Sequence, residues 1–540
     1  MNMKEMKTKE FIESGGAVLG IEFGSTRIKA VLIDDDFKPI ATGSYSWENR
    51  FENGYFTYSE EDILSGLKVC YSRLRNDVFL KYGIMLKKLK SLGVSGMMHG
   101  YIVLDSNDKM LVPFRTWRNT TTSEAAEKLS NLFGFNIPER WSVAHLYQAI
   151  LDGEEHVGSI SYMTTLSGYI HYLLTGEKCV GIGEASGMFP IDSKTNGYDE
   201  RMLSQFDELT ALRGYSWRLK DLLPCPLSAG RNAGLLTEKG ALLIDPTGEL
   251  EPKVQVCPPE GDAGTGMVAT NSVAQGTGNV SAGTSIFGMI VLDYPLSKPY
   301  RIIDMVTTPD GKPVAMVHCN NCTSYLNEWI DLFISFAEKT GFEGDESELY
   351  ELLFCEADRA GDSSELPIIY NFVSGDPVMD LSDGVPVILG NRKEKMTLAG
   401  FMKAQINSCI ASLAYGFSVF RREKVTIDEI YAHGGLFKRG NAGQRALSAA
   451  LATKVSIMET AGEGGPYGMA ILAKYTEMSD RVTLPQYLKE YVFVDSASKS
   501  ITASQDEISG FGFFMKQYMA NMNLEHIAVK NAIGGGMDNA

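Results

Sequence analysis

The chain has 540 residues, 44% hydrophobic and 22% charged, with a formal net charge of −17. That is more length than one hydrophobic core accommodates, in the composition range of soluble globular proteins, so two or more domains are expected. A field this negative, with no basic stripe to offset it, excludes nucleic acid and anionic lipid as partners.

The start, Met1 to Gly16, is charged and lacks the apolar core and cleavage site of a secretory signal, and no run of 18 apolar residues follows anywhere. A cytoplasmic protein without a membrane span is therefore expected. The eight cysteines are spread along the chain, as reduced thiols are, and Cys319 and Cys322 form a lone CxxC with no second pair at zinc-ligand spacing.

Ala17 to Phe23 is an apolar run that ends at Gly24-Ser25-Thr26, and Ile28 to Ile33 is a second one closed by Asp34. That reads as strand, tight turn, strand. A phosphate group needs several donors within reach; glycine lets backbone N–H groups approach, and serine and threonine add hydroxyls. A Walker A loop is excluded, because the turn runs into Arg27-Ile28-Lys29-Ala30-Val31, a strand pattern rather than a helix. Glu22, just before the turn, has the hard carboxylate oxygens that suit Mg²⁺.

Leu86 to Val94 leads to Gly96-Met97-Met98-His99-Gly100 and then to the apolar Tyr101 to Leu104, two strands around a polar turn on which His99 has the chemistry to bind sugar hydroxyls. Trp117 combines an aromatic face with polar neighbours, an arrangement suited to packing on the C–H face of a sugar. Thr122 to Phe133 and Ser161 to Leu174 have helical composition, the second stopping at Gly176. Glu260-Gly-Asp-Ala-Gly-Thr-Gly266 reads as a glycine-rich turn in which Asp262 could take a proton from an attacking hydroxyl.

The first turn then recurs. Asn279 to Ala282, Gly283-Thr284-Ser285 and Ile286 to Leu292, closed by Asp293, repeat the grammar of the N-terminal segment 259 residues later, close to half the chain. Singly, each turn is an ordinary hairpin; the duplication points to two related domains facing a cleft, each presenting one phosphate turn. Farther on, Leu398, Met402, Ile406, Ile410, Leu413, Phe417 and Phe420 mark the core face of a helix from Thr397 to about Glu423. Gly434, Gly435 and Lys438 follow an apolar run, and the glycine-rich Ala461 to Pro466 precedes a helical pattern; both loops suit the adenosine part of a nucleotide. The last residues, Ile533 to Ala540, look frayed.

Taken in this order, the set resembles the FGGY family of carbohydrate kinases over nearly the whole chain. Gly20 to Lys29 looks like the family's first phosphate motif and Val280 to Ser285 like its second; Gly261-Asp262 matches its catalytic aspartate. Gly434-Gly435 and Gly462 to Gly468 look like its adenosine-binding region, and Gly96 to Gly100 is similar to the xylulokinase form of the sugar loop. The resemblance implies an α/β fold of two actin-like (ribonuclease H-like) ATPase domains with mixed sheets, flanking helices and a central cleft, divided as 1–268 and 269–540. It implies ATP and Mg²⁺, phosphoryl transfer to a ketopentose such as D-xylulose or L-ribulose, and Asp262 as general base. ATP would contact Gly24, Ser25, Thr26, Lys29, Gly283, Thr284, Ser285, Gly434, Gly435, Lys438 and Gly464; the sugar would contact Met98, His99, Trp117 and Asp262; the metal would sit by Glu22 and Asp262. Glu22, Ala263 and Asn119 depart from the family's usual Asp, Asn and Asp. An actin-like ATPase that switches a protein partner is the competing reading, and the sequence leaves monomer and homodimer open.

Overall fold

The computed structural model describes residues 3–342, 344–361, 366–391, 395–458, 464–494 and 498–532. The expectations placed on Ala461 to Glu463 and on Ile533 to Ala540 lie outside these. The chain divides into two compact units, Met1–Val273 with Asp304–Val314 and Glu463–Asp495, and Ala274–Ile303 with Ala315–Gly462 and Ser496–Ala540. No helix among the described residues is long and apolar enough to cross a membrane.

In the first unit, β1 (Val18–Phe23), β2 (Arg27–Ile33) and β3 (Pro39–Ser46) form an antiparallel meander. β4 (Ser91–Gly96) pairs with β1 in parallel, and the short strands Gln255–Val256 and Glu260–Gly261 pair in parallel with β4. Helix α1 (Glu60–Tyr82) lies on β3, burying Ile63, Leu67, Cys70, Tyr71, Leu74 and Val78 at spacings of three and four. Each such apolar side chain contributes about 1.5–3 kcal/mol on leaving water. Ser59 caps the start of α1 and Gly83, at φ 68°, ends it.

Helix α2 (Ser123–Phe133) falls where the sequence places it. The segment Ser161 to Leu174 instead splits. Tyr162–Thr164 forms a strand antiparallel to Ile102–Leu104, and helix α3 (Leu166–Thr175) starts only after Thr165, whose hydroxyl accepts from Gly168 N. Pairing with Ile102–Leu104 and the capping threonine account for the break. The strands on either side of Met97–Gly100 also belong to different sheets.

The glycine-rich turn expected at 260–266 is a strand end followed by helix α4, Asp262–Ala269. Its small residues serve packing. The returning helix Gly464–Tyr475 lies against α4, and a Cβ on Gly468 would stand 2.0 Å from Thr265 O. The same helix lies on β1, where a Cβ on Gly20 would meet Pro466 O at 2.0 Å.

In the second unit, β5 (Thr277–Ala282), β6 (Ile286–Val291), β7 (Pro313–Cys319), β8 (Glu429–Gly434), β9 (Lys454–Met458) and β10 (Ser498–Ile501) run in the order β7-β6-β5-β8-β9-β10. β5 is antiparallel to β6 and parallel to β8, the arrangement that β1 has with β2 and β4. The repeat read in the sequence is thus a repeat of topology. Helix α5 (Leu398–Arg422) starts at Thr397, whose hydroxyl accepts from Gly400 N at 3.1 Å. It buries the expected stripe from Met402 to Phe420, while Leu398 in its first turn stays exposed. Helix α6 (Ala442–Leu451) follows β8.

Candidate active site

β1, β4 and Glu260–Gly261 run parallel, so their carboxyl ends coincide: Phe23 is level with Gly96, and Gly96 with Gly261. Three segments far apart in sequence leave the sheet at that edge, the Gly24–Thr26 turn, the Met97–Gly100 loop and the start of α4 at Asp262. Open α/β sheets bind ligands at this end of their parallel strands.

The carbonyls of the first turn are all engaged. Trp47 Nε1 donates to Gly24 O at 2.7 Å, the Tyr58 hydroxyl donates to Ser25 O, and Trp47 N donates to Thr26 O at 3.2 Å. Trp47 and Tyr58 stack with ring centroids 4.1 Å apart. In a trans peptide the N–H points opposite to the C=O, so the Ser25 and Thr26 N–H groups face away from this aromatic grip. Two adjacent N–H groups held outward form an anion-binding concavity.

The second unit repeats the device with other residues. Cys322 N donates to Thr284 O at 2.9 Å, and Thr323 donates to Gly283 O through its N–H and, at 2.7 Å, its hydroxyl. The Thr284 and Ser285 N–H groups are thereby turned outward. The Cys322 backbone carries this role, while its thiol is buried and shifted well up by burial, and Cys409 Sγ bonds Cys322 O at 3.1 Å. Because β8 pairs with β5 at Ala282↔Gly434, the Gly434-Gly435 segment starts beside the Gly283 turn. Gly434 has φ 108°, and a Cβ there would meet Ala282 O at 2.2 Å, so only glycine fits. Gly435–Phe437 makes one 3₁₀ turn, closed by Lys438 N on Gly435 O at 3.3 Å.

Asp262 is half-buried, and its Oδ1 accepts from Met98 N at 3.2 Å and Ala263 N at 2.9 Å. Burial pushes its pKa up to about 6, against the pull of those N–H groups. Glu22 is also half-buried; burial first and the Asp262 charge second push it up to about 7, with Lys29, its cross-strand partner on β2, opposing. Gly465 is pressed against it, since a Cβ there would stand 1.4 Å from Glu22 Oε2. Gly464 opens the same helix at φ 69°.

Two further carboxyls stand behind Asp262. Glu260 is buried and accepts from Gly183 N at 3.3 Å and Glu184 N at 3.0 Å; burial pushes it up to about 8. Glu184 is fully buried, and burial drives its pKa well above the usual carboxylate value, the Thr165 hydroxyl opposing and the charges of Glu260 and Asp262 adding to it. With burial pushing both toward the neutral form, these carboxyls add less charge to the buried side of Asp262. The run of small residues around Glu184, from Gly181 to Gly187, is the sequence signal that could have pointed to this close-packed support.

The Met97–Gly100 loop also meets Asp262 directly, through the Met98 N–H. His99 sits at φ 70° with its ring buried, Nδ1 3.1 Å from Gly187 O and the ring stacked on Trp141 at 6.2 Å. A carbonyl only accepts, so Nδ1 carries the proton. Trp117 is half-buried and its Nε1 donates to Ser25 Oγ at 3.0 Å. Asn119 is used internally, bonding Phe56 N, Phe56 O and Thr116 O. Trp47 and Tyr58, which grip the first turn, were missed by sequence reasoning; aromatic residues some twenty to thirty positions downstream of a polar turn carry no signal of their own.

Among the described residues no group of three side chains forms a ready metal cage. Glu22 and Asp262 are two hard oxygen donors whose like charges act on each other, which fits a Mg²⁺ ion that arrives with a nucleotide, keeps its waters and takes one or two carboxylates.

The sequence matches the FGGY family of carbohydrate kinases in two parts, the N-terminal domain over residues 17–211 and the C-terminal domain over residues 278–477. The xylulose kinase of Haemophilus influenzae is 23% identical over 435 residues, which cover 77% of this chain and 82% of that one. A xyloylose kinase from Brucella ovis superposes with a TM-score of 0.77 at 17% identity, over 95% of this chain and 99% of the other. A gluconate kinase from Lactobacillus acidophilus does so with a TM-score of 0.75 at 17% identity, over 94% and 98%. The chain belongs to the FGGY family of carbohydrate kinases. It has the actin-like ATPase fold of those kinases, in two domains of mixed sheets flanked by helices.

Proposed function

We propose that this kinase transfers the γ-phosphoryl group of ATP to the terminal hydroxyl of a ketopentose such as D-xylulose or L-ribulose, with Asp262 as general base. The observation that carries this reading is the Asp262–Met98 contact, which ties the one carboxylate at the start of α4 to the backbone of the sugar loop. Both side-chain bonds of Asp262 to the described residues fall on Oδ1, which leaves Oδ2 for a proton. With its pKa near 6, the carboxylate is ionised at neutral pH and basic enough to act. In the step, the sugar oxygen attacks the γ-phosphorus, its proton passes to Oδ2, and the bond to the bridging oxygen breaks to release ADP.

The outward N–H groups of the Gly24–Thr26 and Gly283–Ser285 turns would hold phosphate oxygens, with Lys29 adding charge. Gly434, Gly435, Lys438 and Gly464 would approach the rest of the nucleotide. Mg²⁺ beside Glu22 and Asp262 would neutralise charge on the phosphates. Met98, His99 and Trp117 would line the sugar pocket. We assign the first turn and sugar loops to a domain ending at residue 268 and the second turn to the remainder.

ADP release measured across D-xylulose, L-ribulose, glycerol and gluconate tests the reading. A ketopentose should stimulate turnover most, and Asp262→Asn should lower kcat by about 10²–10⁴-fold while ATP still binds. Slow ATP turnover indifferent to every sugar would instead favour a switch acting on a protein partner.

A further inference from the structure

The hydrogen bond from Trp117 to Ser25 joins the proposed sugar wall to the first phosphate turn. An indole N–H is only a donor, whereas a serine hydroxyl has one proton and two lone pairs. By occupying one lone pair of Ser25 Oγ, Trp117 leaves the hydroxyl its proton to donate elsewhere. Among the described residues no acceptor takes its proton. The rest of the turn is already immobilised, with Ser25 O held by Tyr58 and Gly24 O by Trp47. Tyr58 and Trp117 also share a support: Tyr55–Tyr58 pairs with Phe114–Arg115 at Tyr58↔Phe114, two residues short of Thr116 and three short of Trp117.

We propose that Trp117 is a positioning residue for phosphoryl transfer, whose indole N–H aims the Ser25 hydroxyl proton at a phosphate oxygen of ATP. A sugar seated against the same ring then settles the indole and, through it, the hydroxyl. This rests on the kinase reading above and adds a role for the indole nitrogen that a hydrophobic wall does not have.

Trp117→Phe separates the two, since it keeps an aromatic face and removes the N–H. Steady-state kinetics should show kcat/KM for ATP falling on the order of tenfold, as for loss of a hydrogen bond to a charged group, with sugar KM within about twofold of wild type. Ser25→Ala, at a half-buried position whose carbonyl Tyr58 holds, should give a similar fall, and the double variant should be no worse than Ser25→Ala alone. ATP kinetics unmoved in Trp117→Phe, or falls that multiply in the double variant, would overturn the inference while the kinase reading stands. Wild-type turnover indifferent to every sugar would overturn both.

Discussion

At Asp262 two effects oppose each other: burial favours the neutral acid, and the Met98 and Ala263 N–H groups favour the anion. Burial wins, by enough to bring the group near neutrality without keeping it protonated there. A base works only when ionised, so activity is present above a pKa near 6 and lost as pH falls through it. A pH profile of kcat/KM should show an acid limb there, falling about tenfold per unit; a profile flat through that range would remove Asp262 from the role. In the sequence Asp262 stands out as a carboxylate among small residues ahead of a repeated turn. Its surroundings do not: Glu184 lies far away in sequence, and only the fold brings its carboxyl up behind Gly261, where a Cβ would stand 2.4 Å from it.

At the scale of elements, the two hairpins and α5 were readable because each is a local pattern, an apolar run broken by a glycine-hydroxyl turn or an apolar stripe at helical spacing. The strand at Tyr162–Thr164 and the helix start at Asp262 were not, because pairing with Ile102–Leu104 and contact with the Gly464–Tyr475 helix decide them. That contact is a packing constraint. Gly20→Ala should destabilise the protein by about 1–3 kcal/mol or more, since the clash is with backbone atoms of Pro466 and Ala470 that have no rotamer to escape into. Gly512→Ala, on an exposed face in the middle of the Gln505–Ala520 helix with nothing within 4 Å, should stabilise by about 1 kcal/mol. Thermal melts of the two variants check both signs.

At the scale of the molecule, the sequence shows two related halves but not that the first compact unit draws on three separate stretches of chain. The Gly464–Tyr475 helix covers β1 and β4 from one side, and a fragment of residues 1–273 would lack it. Such a fragment should show no cooperative thermal transition by circular dichroism, and joining residues 464–494 to it through a flexible linker should restore one; a cooperative melt of the bare fragment would refute the dependence.

The ribosome releases Val18–Phe23 first and the helix that shields it more than four hundred residues later, which at about 5–20 residues per second is a delay of roughly 20–90 seconds. Throughout that interval the nascent N-terminal sheet has one face without its cover. Final assembly of the first unit therefore waits until the Gly464–Tyr475 helix has been made, and until then the sheet exposes an apolar face.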